Sequence, residues 1–231
     1  MRLIAHRGLI ENENTIEGVT QVMHTYPTWG VEMDVRFSTN REVVLCHDRE
    51  KRNDKCDTLY AMLEMLENGI QTFFESITEQ KREIIIDIKA FGVEGAQSLG
   101  RVVCDIVECF PELIKHADIM LCSFNEYCVS EILSERLDRS NTQLWSLVKV
   151  GVISSGVPLG LFGHLENLDF VSIDYSALCE DIVDRFKEKG LTVFAWTVNA
   201  ASMATLMRKY DLHGMIIDTT SETRDMYMST M

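Results

Sequence analysis

The chain has 231 residues, 46% hydrophobic and 25% charged, with a mean hydropathy of −0.02, a composition that excludes collagen-like, disordered and membrane-spanning classes. Its 22 basic and 36 acidic side chains leave a net charge of −14, which argues against nucleic-acid binding, because affinity for a phosphate backbone rests on clustered Lys and Arg. The seven cysteines, at 46, 56, 104, 109, 122, 128 and 179, include no CxxC pair; they indicate neither a disulfide framework nor a zinc knuckle and fit reduced thiols in a cytoplasmic compartment.

In chain order, Arg2 to Ala5 reads as a first strand. Its apolar core, Leu3-Ile4-Ala5, ends at His6-Arg7-Gly8 and is too short for a signal peptide. A helical spacing of apolar residues follows over Thr15 to Tyr26, then a strand over Gly30 to Val35. After the turn-like Ser38-Thr39-Asn40, the run Glu42 to Cys46 reads as an extension beside the second strand and ends in His47-Asp48. Arg49 to Asp57 is dense in charge and reads as a solvated loop. Further strands are expected at Glu83 to Lys89, Asp118 to Cys122, Gln143 to Val148, Phe170 to Asp174, Leu191 to Trp196 and Gly214 to Asp218. Helices are expected at Val93 to Cys109, Glu126 to Leu137, Cys179 to Lys189 and Ser202 to Tyr210. The uncharged stretch Val150 to Gly163 is too short and Gly-rich to span a bilayer. It reads as a loop and short helix packed on the fold, or as an apolar lip that accepts an acyl chain.

Eight strands alternating with helices predict an α/β fold with parallel strands and crossover helices. At about 29 residues per unit, a (β/α)8 barrel in a single domain over residues 1–231 accounts for the length. No Pro/Gly/Ser linker divides it.

In such a barrel the chemistry sits at the C-terminal ends of the strands. His6, Arg7, Glu32, Asp34, His47, Asp87 and Lys89 all fall there. Glu32 and Asp34 stand two apart on a strand and share a face. Burying both carboxylates is unfavourable by several kcal/mol in order of magnitude unless a cation or proton compensates. Asp87 poses the same problem inside Ile84-Ile85-Ile86-Asp87-Ile88. Together the three acids suit one hard divalent cation, Mg²⁺ or Ca²⁺; the alternative is that each pairs with a base such as Arg7, Arg36 or Lys89. His6 and His47, each closing an apolar run, can act as acid and base on a metal-bound phosphate, whereas His24, His116, His164 and His213 read as ordinary surface or core residues. Arg7 and Lys89 can hold phosphate oxygens as well as balance the acids. Trp196 either walls the substrate or packs the core.

These residues carry a resemblance. His6-Arg7-Gly8, Glu13-Asn14-Thr15, Glu32-Met33-Asp34, His47-Asp48, Asp87-Ile88-Lys89, Ser123-Phe124-Asn125, Trp196-Thr197-Val198-Asn199 and Gly214-Met215-Ile216-Ile217-Asp218 resemble, in order, the signature of the glycerophosphodiester phosphodiesterase (GDPD) family. The resemblance implies a TIM barrel that hydrolyses glycerol phosphodiesters with a divalent cation. It implies Glu32, Asp34 and Asp87 as metal ligands, His6 and His47 as the acid/base pair, Arg7 and Lys89 on phosphate, and Glu13 and Asn14 in support. Three departures stand out: Asn12 where the family usually has Pro, Asp87 where it usually has Glu, and only 39 residues between His47 and Asp87, so that the family's cap insertion is nearly absent and the site open.

The expected partner is a small-molecule phosphodiester, with no nucleic acid, no transmembrane segment and room for transient contact with lipid. A phospholipase D-type enzyme acting on lysophospholipid or sphingolipid is the alternative, motivated by Asp87, the short connection and the apolar stretch. A catalytically silent phosphate-binding barrel is the second alternative, disfavoured by the intact set of acids, histidines and lysine.

Overall fold

Runs such as Ile84-Ile85-Ile86 are too apolar to leave either face in water. In the computed structural model, which describes residues 1–49, 55–74, 81–157 and 167–228, a closed barrel covers both. The strands are β1 (Arg2–Ala5), β2 (Gly30–Phe37), β3 (Val43–Leu45), β4 (Glu83–Ile88), β5 (Asp118–Ser123), β6 (Lys149–Ser154), β7 (Phe170–Asp174), β8 (Thr192–Trp196) and β9 (Gly214–Ile217). They form one sheet in the order β1-β9-β8-β7-β6-β5-β4-β2-β3, and a further β1–β2 pairing, Ile4 to Gly30 and Ala5 to Val31, closes it. All barrel pairings are parallel; β3 alone runs antiparallel, on the upper part of β2. This is the expected (β/α)8 barrel with the expected extension beside its second strand.

Outside lie α1 (Ile16–Thr25), α2 (Leu59–Asn68), α3 (Ile70–Phe73), α4 (Val93–Glu108), α5 (Pro111–His116), α6 (Glu126–Asp138), α7 (Glu180–Glu188), α8 (Ala201–Lys209) and α9 (Ser221–Met228). Their starts follow from the sequence: Thr15, Thr58 and Asn125 accept N-terminal amide hydrogens of α1, α2 and α6. Among the described residues, no helix is long and apolar enough to cross a membrane.

Side chains alternate along each strand. Ile4, Ile85, Met120, Cys122, Ile153, Phe170, Phe194 and Ile216 fill the interior, while Val31, Met33, Ile84 and Ile86 belong to the outer core. The sixth strand corrects the sequence reading. Gln143 to Val148 is not a strand but holds a 3-10 turn at Trp145–Leu147, and β6 begins at Lys149. The strand contains Gly151, a residue depleted in strands, because a Cβ there would come within 2.6 Å of the Phe170 ring. The first five residues of the uncharged stretch, 150–154, are therefore barrel strand; its residues 158–163, and with them the expected apolar lip, lie outside the described residues, as does His164.

At the N-terminal end of the barrel, buried Arg82 donates to the carbonyls of Trp29, Met23, Tyr26 and Phe73 at 2.7, 3.0, 3.0 and 3.3 Å. Beside it, Glu83 accepts from Arg2 Nε at 3.0 Å and lies 2.9 Å from His213 Nε2.

Candidate active site

The other end of the barrel gathers the polar side chains. Glu32 and Asp34 lie in β2 and Asp87 in β4, with Asp34 directly beside Asp87 in register. Each offers an oxygen within 4.8 Å of the others, and all three are nearly inaccessible, at 2%, 1% and 1% exposure. Two cations enter between them. Lys89 Nζ stands 3.0 Å from Asp34 Oδ1 and bonds Asp87 Oδ2, and Arg7 Nε stands 3.0 Å from Asp34 Oδ2. Arg7 takes a left-handed backbone, φ +58°, followed by Gly8 at +76°, which turns its amide onto Glu32 Oε2 at 3.0 Å. A Cβ on Gly8 would meet the Val19 amide nitrogen at 3.1 Å. Asn14 donates to Asp34 Oδ2 and accepts from the Asp34 amide, both at 2.9 Å. Glu13 accepts from Arg7 Nη1 at 3.1 Å.

The three acids are not equivalent. Burial pulls Asp34 upward, but Lys89, Arg7 and the Asn14 hydrogen bond outweigh it and hold the carboxyl below its ordinary range. Glu32 is pushed up to about 8, by burial first and by Asp34 second. Asp87 is pushed up to about 6 by burial, against the pull of Lys89. With protein cations alone, the cluster is one positive charge short.

Among the described residues, the buried side-chain atoms with no hydrogen-bond partner are Arg7 Nε, Asp87 Oδ1 and Ser172 Oγ. Two of them are in this cluster: a carboxylate oxygen and a guanidinium N–H that is out of line for a hydrogen bond to Asp34. Native proteins seldom leave such groups unpaired. The oxygen-only donor set and the orphaned carboxylate oxygen fit a hard divalent cation.

The histidines reach the site by different routes. His6 follows β1; its Nδ1 is 2.6 Å from Asp218 Oδ1, and its Nε2 is 4.0 Å from Glu32 Oε2. Asp218, just past β9, is itself held by Asn199 Nδ2 at 2.6 Å. Burial lowers the pKa of His6, but the Asp218 hydrogen bond and the Glu32 charge prevail, and the net shift is upward. His47 arrives on the hairpin of β2 and β3. Ser38 Oγ caps its turn, accepting from the amides of Asn40 and Glu42 at 3.2 and 3.1 Å, and β3 then descends until the Cys46 amide bonds the Asp34 carbonyl at 2.9 Å. His47 thus returns to the level of the acids. Its Nδ1 is 2.8 Å from Asp48 Oδ1, and buried Arg36 anchors the segment by donating to the carbonyls of Cys46 and His47.

His6, Arg7, Glu32, His47, Asp87, Lys89 and Trp196 line one cavity of about 320 Å³, with Asp34 beneath them. The predicted residues therefore come together, Trp196 included; its Nε1 bonds the Ser172 carbonyl at 3.2 Å and its ring meets Phe124 edge-on at 5.6 Å. Glu13 and Asn14 stand to one side and line a neighbouring hollow with His47. Of the histidines read as ordinary, His24 packs edge-on to Phe73, His116 bonds the Glu112 carbonyl and His213 pairs with Glu83. Sequence reasoning gave no role to Asp218, Asn199 or Arg36. The first two fall in motif segments at strand ends, which is the available signal; Arg36 stands out in the sequence only as a counter-ion for the acids.

A family model for the glycerophosphoryl diester phosphodiesterase family matches residues 52–222. Asp87, Lys89, Trp196 and Asp218 fall inside the match, and His6, Glu32, Asp34 and His47 precede it. No curated protein matches. Among solved structures, a phosphodiesterase of Oleispira antarctica in complex with the product sn-glycerol-3-phosphate is 18% identical, with TM-score 0.71 over 99% of this chain and 97% of that one. A glycerophosphodiester phosphodiesterase of Parabacteroides distasonis is 17% identical, with TM-score 0.74 over 100% and 98%. One from Agrobacterium tumefaciens is 13% identical, with TM-score 0.58 over 94% and 96%. At these identities the likeness is one of fold.

Proposed function

The chain belongs to the glycerophosphoryl diester phosphodiesterase family, and from that premise we propose that this phosphoric diester hydrolase cleaves glycerophosphodiesters to an alcohol and glycerol phosphate, with one divalent cation and the pair His6 and His47. We read the whole chain as one catalytic domain. The observation that carries the proposal is the orphaned Asp87 Oδ1 among three buried acids whose oxygens converge within 4.8 Å: that oxygen seeks a cation, and a cation held there would present phosphate to Arg7 and Lys89.

Glu32, Asp34 and Asp87 would hold the cation, Mg²⁺ or Ca²⁺, which when bound offsets charge on the phosphoryl group. Arg7 and Lys89 bind phosphate oxygens, Arg through its fork and Lys as a point charge. Asp218 and Asp48 each accept the Nδ1 proton of a histidine, which leaves both Nε2 atoms for the reaction. One ring takes the proton of the attacking hydroxyl and the other delivers a proton to the leaving oxygen. Trp196 and Phe124 line the cavity on its apolar side.

The test is hydrolysis of glycerophosphocholine by purified protein with added Mg²⁺ or Ca²⁺. Turnover should vanish with chelator, and His6→Ala or His47→Ala should lower it by about 10²-fold or more with the thermal melt preserved; near-normal turnover in either variant overturns its role. A second reading, phospholipase D-type cleavage of a lysophospholipid, is favoured by one observation. A hollow of about 560 Å³ adjoins the cavity through His47, Lys89 and Phe124, and its wall joins Ile88, Ala90 and Phe91 to Arg36, Asp48, Arg49 and Ser123, room for a ligand that makes both apolar and charged contacts. Turnover on lysophosphatidylcholine orders of magnitude below that on glycerophosphocholine removes it.

A further inference from the structure

The segment that carries His47 has a second chemistry beside it. Val44 bridges Thr58 in antiparallel fashion, and the Leu45 amide bonds the Asp57 carbonyl at 2.8 Å, so the returning chain runs back along β3. Continued two residues beyond the bridge, this register would bring Cys46 opposite Cys56. Directly opposed residues of an antiparallel pair have Cα atoms about 4.5 to 5.5 Å apart, inside the window of about 4.4 to 6.8 Å that a disulfide spans. The two thiols are in hydrogen-bond contact, and neither is in a disulfide. Both line a hollow of about 320 Å³ together with Asn14, His47 and Asp48, so a small solute reaches them. Cys46 is also tied to the site: its Sγ donates to the Asp48 carbonyl at 3.2 Å, and Asp48 holds His47.

We propose that Cys46 and Cys56 are a redox modification site, a dithiol that a two-electron peroxide oxidant converts to a disulfide, and that this bond displaces His47 and arrests turnover. Cys56, the more exposed of the two, reacts first as its thiolate, having given its proton to water. Its sulfur attacks one peroxide oxygen, the O–O bond breaks, and the departing hydroxide takes up that proton and becomes water, leaving a sulfenic acid. The Cys46 sulfur then attacks the Cys56 sulfur; the S–S bond forms, the S–O bond breaks, and the leaving hydroxide takes the Cys46 proton as a second water. Two thiols have lost two electrons and two protons, and one peroxide has become two waters. Burial raises the Cys46 thiol pKa, which keeps Cys46 from being the thiol that meets peroxide first. The Cys46 Sγ contact to Asp48 is lost, and with it part of the support of His47.

The arrest of turnover rests on the hydrolase reading above; the disulfide does not. The purified protein is treated with hydrogen peroxide, blocked with iodoacetamide, digested and mass-analysed, while glycerophosphocholine turnover is followed in parallel. The expected results are a Cys46–Cys56 cross-linked peptide and turnover reduced by about 10²-fold, the scale of an ångström-sized displacement of a catalytic group, restored by dithiothreitol. Cys56→Ser and Cys56→Ala should keep near wild-type basal turnover and lose the peroxide response. Alkylated Cys46 beside an over-oxidised Cys56 overturns the pair, and a disulfide that leaves turnover unchanged overturns the arrest. If the reduced protein hydrolyses no phosphodiester, the hydrolase reading fails, and the peptide masses still decide the site.

Discussion

An imidazole takes one role in catalysis when one of its nitrogens is already committed, and here both rings are committed through an aspartate. The stronger constraint is on His6, whose partner Asp218 is 212 positions away in sequence and 2.6 Å away in space. Asp218→Asn removes the charge that helps raise the His6 pKa against the lowering effect of burial. The limb of the pH–rate profile governed by His6 should therefore move to lower pH, with kcat reduced by about 10-fold or more and KM little changed. An unmoved limb at wild-type kcat would show that Asp218 does not act through His6. At this scale the metal-binding candidates were legible because an acid inside an apolar strand is anomalous on its face. The His6–Asp218 contact was not, since barrel closure creates it and local spacing carries no trace of it.

Elements divide the site between two supports. The acids sit on β2 and β4, locked in the barrel, whereas His47 hangs on the β2–β3 hairpin and is fixed by Arg36. At the far end, the last turn of α1, its connection to β2 and the end of α3 are held by one side chain, Arg82, with four carbonyls on its guanidinium. Arg82→Met keeps the volume and strands those carbonyls. Urea denaturation should register a loss of at least about 3 kcal/mol, and a loss below about 1 kcal/mol would mean that water replaces the guanidinium. Most strands were readable because parallel strands buried on both faces appear as unbroken apolar runs. The sixth was misplaced because Leu144-Trp145-Ser146-Leu147-Val148 has the better strand composition, while β6 tolerates Gly151 for the sake of Phe170. That choice is made across the barrel, beyond the reach of local propensity.

For the molecule as a whole, the acid cluster sets how stability follows pH. Glu32 changes from an ordinary value of 4.5 to about 8 on folding, and Asp87 from 3.8 to about 6. Between the unfolded and folded values, the native chain holds protons that the unfolded chain has released, so stability falls as pH rises. His6, raised on folding, acts in the same direction through neutrality. Asp34 and Glu83, lowered on folding, contribute stability that is lost only in acid, as pH falls through their folded values. Urea midpoints in chelator should therefore decline from about pH 5.5 to pH 8, and saturating Mg²⁺ or Ca²⁺ should remove most of the decline, because a bound cation takes the place of the protons. Midpoints that rise over this range in chelator would contradict the arrangement. The join between β1 and β9 carries a different consequence, one of timing. A ribosome makes His6 before the second strand and Asp218 only after the ninth, so an interrupted chain has neither a closed wall nor an oriented imidazole. On the role proposed for His6, fragments and nascent chains should hydrolyse no phosphodiester, and the appearance of activity during refolding should serve as a clock for the moment the two ends of the barrel meet.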